Sequence, residues 1–291
     1  MSSVAKAPPP PKKAPTPPPA APPPVAGSTA STKSHAFGLS SGAMRSSHRI
    51  CLYGPGGIGK STLASLAPKP RFLDLESSTC DLDTIERVTL PDGKDRWTVE
   101  LIRSALSSPE LWKGCETIVI DTATKLQDIC LEYTLRTVSI NKHGERATNI
   151  EDYGYGKGFG FLYDSFMLIL NDMDNAWRRG LNIILIAHDC TNRVPNPEGE
   201  DFIRYEPRLS DPTSGKNSIR LKVREWCDHL LRIGYDITTD DGKARGSGSR
   251  TIYAAEMPHF MAKSRTLSNP IEFTNKNDDT LWKQLFKKGT K

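Results

Sequence analysis

From residue 49 onward, short apolar runs alternate with longer amphipathic stretches. Residues 49–53, 71–76, 117–122, 182–188 and 229–234 are nearly continuous in Val, Ile, Leu and other apolar side chains, and each ends on a glycine, hydroxyl, acid or histidine. Runs of this length without polar alternation are expected of strands covered on both faces of a parallel sheet. Between them the spacing turns helical. Residues 61–67 read as a helix stopped by Pro68. Residues 97–106 place Val99, Ile102 and Leu106 on one side, and 123–138 look helical. Along 161–178, Leu162, Phe166, Ile169, Met173 and Trp177 recur at intervals of three and four until Gly180 ends the pattern. A short helix is expected at 218–226, and a Gly/Ser turn at 242–249 joins the 229–234 strand to another at 250–256. Residues 140–160 (polar, then glycine-rich) and 190–217 (rich in proline and charge) read as loops. There is no internal repeat. The order predicts an α/β fold: a mostly parallel sheet with helices on both faces and a C-terminal antiparallel hairpin.

Composition changes this picture at the N-terminus. Residues 1–40 hold 11 of the 22 prolines and no acid; the first acidic residue is Asp74. Proline without apolar partners builds no core, so residues 1–42 are expected to form a disordered Pro/Ala/Lys-rich tail preceding a domain at 43–291. Such a tail can serve as a tether, touch nucleic acid or bind a proline-reading module. Its lysines supply most of the net charge of +5, so the domain itself is nearly neutral and the basic balance says little about partners. No apolar run has the roughly 18 residues of a membrane span. There is no apolar stretch of secretory-signal type at the N-terminus. The six cysteines form no C-x-x-C pair, which favours reduced, apolar-packing thiols of a cytoplasmic protein over disulfides or zinc ligands.

The candidate chemistry begins where the first strand ends. Gly54, Pro55, Gly56, Gly57, Ile58, Gly59, Lys60 and Ser61 complete the G-x-x-x-x-G-K-[ST] pattern between an apolar run and a helix, with Thr62 next in line. Backbone N–H groups of such a loop converge on phosphate oxygens, and the helix N-terminus adds partial positive charge. Lys60 would reach the β- and γ-phosphates of a nucleoside triphosphate, and the Ser61 hydroxyl would ligate Mg²⁺. Asp121, after four β-formers, has the form of the second metal-holding signature; the plain alternative is an ordinary strand-ending acid. Hydrolysis also needs a carboxylate to activate water. Thr122 stands where many P-loop ATPases carry it, which leaves Glu76, at another strand end, as the candidate. His188 ends a strand expected between those of the phosphate loop and Asp121, and is either a sensor of the γ-phosphate or structural.

In this order the motifs resemble the RecA core: phosphate loop, strand-end glutamate in Phe72-Leu73-Asp74-Leu75-Glu76 followed by Asp81-Leu82-Asp83, an h-h-h-D-[ST] strand, and an apolar strand ending in a polar sensor. Leu52 to Ser61, Ile186-Ala187-His188-Asp189 and Ala262-Lys263-Ser264-Arg265-Thr266 further resemble a phage AAA-type nucleotide-binding family that includes RecA-core single-strand annealing proteins. The resemblance covers about residues 46–275. It implies an ATP- and Mg²⁺-dependent ATPase that binds single-stranded DNA in recombination or annealing, works as a homo-oligomer, and has a single-strand-binding protein as a candidate partner. One departure is His188, where RecA has a glutamine.

The resemblance also turns the two expected loops toward DNA. Tyr153, Tyr155, Lys157 and Phe159 in the first would stack bases and contact phosphates, or the aromatics pack under the next helix. Arg193 and Arg204 are candidates in the second, whose acids balance its charge. Lys263 and Arg265 resemble the K-x-R pair that RecA-like assemblies insert into a neighbouring subunit's site; the alternative is a solvated surface pair. Two other classes stay open: an ATPase acting as loader or motor on a protein partner without direct DNA binding, and a small-molecule kinase, which would want an arginine-rich lid.

Overall fold

The computed structural model describes residues 47–138, 144–212, 215–240 and 243–286, with side chains omitted for 237–247. The proline-rich tail expected at 1–42 lies outside the described residues. So do residues 140–143 of the first expected loop and 213–214 of the second.

The chain forms β1 (Arg49–Gly54), α1 (Lys60–Ser65), β2 (Pro70–Asp74), β3 (Glu86–Arg87), α2 (Val99–Ser107), β4 (Thr117–Asp121), α3 (Ala123–Thr137) and α4 (Lys157–Arg178). It continues through β5 (Asn182–Val194), β6 (Phe202–Pro207), α5 (Ile219–Trp226), β7 (His229–Asp240), β8 (Lys243–Tyr253), β9 (Lys263–Ser264), β10 (Ile271–Glu272) and α6 (Thr280–Leu285). Among the described residues, the sheet order is β10-β8-β7-β1-β5-β4-β2-β3. From β7 to β3 every pairing is parallel, and β8 returns antiparallel to β7, as the apolar runs and the turn between them predict.

Because successive strand residues face opposite sides, the sheet divides the core in two. Cys51, Tyr53, Ile118, Ile120, Ile183 and Leu185 face the helices α2 to α5. Ile50, Leu52, Val119, Ile184, Ile186 and Leu231 pack with Leu63 of α1 and with Leu281, Trp282 and Leu285 of α6. Both faces are covered, which is why these strands carry no polar alternation. No helix among the described residues is long and apolar enough to cross a membrane.

Three boundaries differ from expectation. First, α4 starts at Lys157, not 161. Asn149 and Asp152 form a capping box for a single 3-10 turn at Ile150–Tyr153, and the glycines after it open directly into the helix. Second, residues 190–207 are not loop. β5 runs on past His188 to Val194 and turns back through β6, from the Asp189/Pro207 pair to Val194/Phe202. The prolines and charges that read as loop sit in the turn and on the hairpin's solvated sides, where a two-stranded ribbon tolerates them. Third, β8 begins at Lys243, within the stretch read as a Gly/Ser turn, and pairs along β7 with a register shift between Tyr235 and Ile237.

Candidate nucleotide site

The phosphate loop lies at the carboxyl end of β1, flanked by β5 at His188 and by β7 at Arg232 and Ile233. Register places Gly54 beside His188, and Asp121 beside Ile186 and Asp74. Side chains leaving β1, β2, β4 and β5 therefore share one rim, where parallel sheets gather ligands. Gly54 itself is required by packing: a Cβ there would meet the Ile233 carbonyl of β7 at 2.4 Å. Gly59, at φ 104°, lies where side chains are strained, and a Cβ would run into the Arg250 guanidinium and the Phe273 ring.

That Arg250–Phe273 pair is a support the sequence reading missed. The guanidinium stacks 4.2 Å from the ring centroid and donates from Nη1 to the Ile58 carbonyl at 2.9 Å, holding the loop from the β8 side. An arginine 192 residues downstream carries no local signal; only the sheet brings it to the loop.

Around the loop, the predicted residues converge on one cleft of about 300 Å³ lined by Lys60, Ser61, Thr62, Glu76, Asp121 and His188. Lys60 is buried and its Nζ donates to the carbonyls of Gly54 (2.9 Å) and Pro55 (2.8 Å). Burial lowers its pKa, countered by the carboxylates of Asp121, Asp189 and Glu76 and reinforced by the cation of Arg208. Ser61 donates from Oγ to Asp121 Oδ2 at 2.5 Å. Asp121 is almost fully buried. Burial pushes its pKa up to about 6, opposed by the Ser61 hydroxyl and Lys60 and assisted by the charges of Asp74 and Glu76. A hydroxyl beside a desolvated carboxylate is an oxygen donor pair suited to a hard divalent cation, so the residues present fit Mg²⁺.

Glu76 lies two residues past the end of β2, not in the strand. Asp74 fixes that short excursion: its Oδ1 accepts from the backbone N–H of Glu76 (3.3 Å) and Ser78 (3.1 Å), its Oδ2 from the Thr79 N–H (3.0 Å) and hydroxyl (2.5 Å). The Glu76 carboxylate is then met on both oxygens, by the Thr122 hydroxyl at 2.6 Å on Oε1 and by His188 Nε2 at 3.4 Å on Oε2. His188 is itself anchored, since its N–H donates to Thr124 Oγ1 at 3.2 Å. The sheet, but not the strand, ends at this histidine; the β5–β6 hairpin grows directly from it.

The residues suggested for DNA differ in exposure and in partners. Tyr153 is a correction: at 3% exposure it is core, packed edge-on against Phe161, with its hydroxyl donating to the Val138 carbonyl. Under-helix packing thus wins there. Tyr155 is 93% exposed, Lys157 is exposed in the first turn of α4, and Phe159 is half-buried. On the hairpin, Arg193 pairs with Asp201 (3.0 Å) and Arg204 with Glu206 (2.5 Å), so both cations already have acidic partners within the chain.

Lys263 and Arg265 lie at the opposite rim, because β9 pairs with the first residues of β7. Lys263 Nζ caps the C-terminal carbonyls of α5 at Arg224 (2.6 Å), and Arg265 pairs with Asp228 (3.2 Å). Ser264, between them, serves a buried relay. Its Oγ accepts from the Leu267 N–H (2.9 Å) and is hydrogen-bonded to His229 Nδ1 (2.8 Å), whose Nε2 is in turn hydrogen-bonded to His48 Nδ1 (3.0 Å). The Lys-Ser-Arg segment fastens the start of β7 within its own chain.

A model of the AAA_24 family, an AAA domain, matches residues 46–266. Among solved structures, the chain is similar to the KaiC-like protein PH0186 from the hyperthermophilic archaeon Pyrococcus horikoshii OT3, at 14% identity and a TM-score of 0.42 over 79% of this chain and 87% of that one. It is also similar to the flagellar accessory protein FlaH from Methanocaldococcus jannaschii, at 10% identity and a TM-score of 0.30 over 71% and 76%. No curated protein matches it. The phosphate loop, the buried Asp121 and strands β1 to β9 fall within the matched span, and the chain belongs to the AAA_24 family of AAA domains.

Proposed function

We propose that the protein binds ATP with Mg²⁺ and hydrolyses it, and that it does so on single-stranded DNA as a homo-oligomer, in annealing or recombination of the kind phage systems use. The observation that carries the ATPase reading is the convergence of Lys60, Ser61, Asp121, Glu76 and His188 on a single cleft at one rim of the sheet. Lys60 would exchange its two loop carbonyls for phosphate oxygens. Ser61 and Asp121 would hold Mg²⁺, which when bound offsets the charge of the β- and γ-phosphates. Glu76 accepts the proton of the attacking water at whichever lone pair its Thr122 and His188 contacts leave open. His188 links that carboxylate to β5, so a change at the γ-phosphate is passed to the root of the hairpin.

For DNA, the support is the hairpin's origin at His188 together with the exposed Tyr155 and Lys157. The loader or motor reading has its own observation. The hairpin cations are internally paired, while Ile203 (66%) and Met257 (51%) leave apolar surface beside them, a character suited to a protein partner. ATP turnover measured with and without single-stranded DNA, alongside oligomeric state, decides between them. Stimulation by DNA supports the first reading; turnover indifferent to DNA, with no retention on it, overturns it in favour of the second.

A further inference from the structure

We infer that Thr122 is a positioning residue for hydrolysis: its hydroxyl holds the Glu76 carboxylate in register with the phosphate site. The inference deepens the ATPase reading and rests on it. Thr122 is buried at the junction of β4 and α3, and its Oγ1 accepts the N-cap hydrogen bond from the Lys125 N–H at 3.1 Å. A threonine hydroxyl has a single proton. That proton is directed at Glu76 Oε1, 2.6 Å away, while the same oxygen accepts from the helix N–H. The hydroxyl cannot rotate away without losing one of the two bonds.

The site needs such a device. Glu76 sits outside regular structure, on a loop tied down by Asp74 through its backbone, and those bonds fix the main chain but not the side chain's χ angles. Of the two groups that touch the carboxylate, His188 is at 3.4 Å and Thr122 at 2.6 Å, so Thr122 makes the tighter contact. It also stands next to Asp121, so the same turn sets the metal-holding carboxylate and the orientation of the base. Where a neighbouring acid would supply the base directly, this chain has a hydroxyl that reaches across to one on β2's extension.

The test is a double-mutant cycle on the full chain with Thr122→Val, Thr122→Ser and Glu76→Gln, reading kcat and the ATP KM. Removing the hydroxyl should lower kcat by about 10- to 100-fold, since misplacing a reacting group by an ångström costs on that order. KM should stay within about twofold, because ground-state binding is untouched. Serine, which keeps both the cap and the donor, should restore most of kcat, and Thr122→Ala repeats the comparison without a branched methyl. The discriminating arm is the double variant. A residue acting through Glu76 has nothing left to position once Glu76→Gln is present, so Thr122→Val should add no further loss.

An additive loss means that the hydroxyl acts as a helix cap alone, and failure of serine to rescue means that the hydroxyl is not what matters at this position; either overturns the inference. An unchanged kcat in Thr122→Val while Glu76→Gln is inactive overturns the inference but leaves the ATPase reading standing. Normal turnover in Glu76→Gln overturns the inference and moves the water-activating base elsewhere, with the ATPase reading left standing; absence of turnover in the unsubstituted protein overturns both.

Discussion

Glu76 shows what a single residue's neighbours decide. Its carboxylate lies on a loop, yet Asp74 collects the N–H groups of residues 76, 78 and 79 and turns that loop into a fixed platform. Asp74→Ala should therefore lower kcat toward the Glu76→Gln level while ATP affinity holds, as steady-state kinetics beside equilibrium binding would show. Lys60→Ala should weaken ATP binding by about 10- to 100-fold, the worth of one charge-assisted hydrogen bond to phosphate; an unaltered titration would refute the loop assignment. At this scale the sequence was informative where spacing is local. The phosphate loop is eight contiguous residues, and Asp121 and Glu76 each follow an apolar run. Arg250 and Thr122 were not legible, because their roles depend on partners reached only across the sheet.

At the scale of elements, the β5–β6 hairpin is the part the pattern concealed. Its base is held by a buried network: Arg220, inside α5, donates to Glu206, to Asp211 (3.2 Å) and to the carbonyls of Pro207 and Leu209 (both 3.0 Å). Glu206 also accepts from Asn192 (2.6 Å) and pairs with Arg204. These groups hold the Glu206 carboxyl below its ordinary pKa against the opposing effect of burial. Replacing Arg220 with Met should cost about 1–3 kcal/mol in a denaturant melt, because Glu206 keeps Arg204 and Asn192 but the buried carbonyls of Pro207 and Leu209 lose their donor. Replacing residues 194–201 by two glycines should leave ATP binding intact and abolish any response of turnover to DNA or to a protein partner. An unchanged response would remove the hairpin from the coupling path. Strands of the sheet proper were readable because burial on both faces leaves an uninterrupted apolar signature. The hairpin strands, solvated and charged, carry none, and their prolines pointed the wrong way.

For the whole molecule, the two rims of the sheet divide the work. The carboxyl rim gathers the nucleotide residues; the amino rim is a fastening, where Ser264, His229 and His48 form a neutral relay and Arg49 lies between Asp174, Asp228 and the ring of Trp177. Burial lowers the pKa of His229 from 6.5 to about 4 and moves that of His48 down as well. The unfolded chain then binds more protons than the folded one across that interval, so the histidines' contribution to stability is complete above pH 6.5 and is lost as pH falls toward 4. Asp121, raised to about 6, acts in the opposite sense over part of the range. Melts at stepped pH should show a steeper acid loss in the wild type than in His229→Gln; equal slopes would exclude the relay.

The sequence alone determined the class of fold, the phosphate loop and the strand tips that face it, since each rests on contiguous apolar runs or on residues a few positions apart. Only the tertiary structure decided that Tyr153 is core, that residues 190–207 form a ribbon, that Lys263 and Arg265 bind within their own chain, and that Thr122 meets Glu76. Those outcomes depend on which distant groups the sheet order makes neighbours, and a side chain's partner, not its type, sets whether it is buried, paired or poised for chemistry.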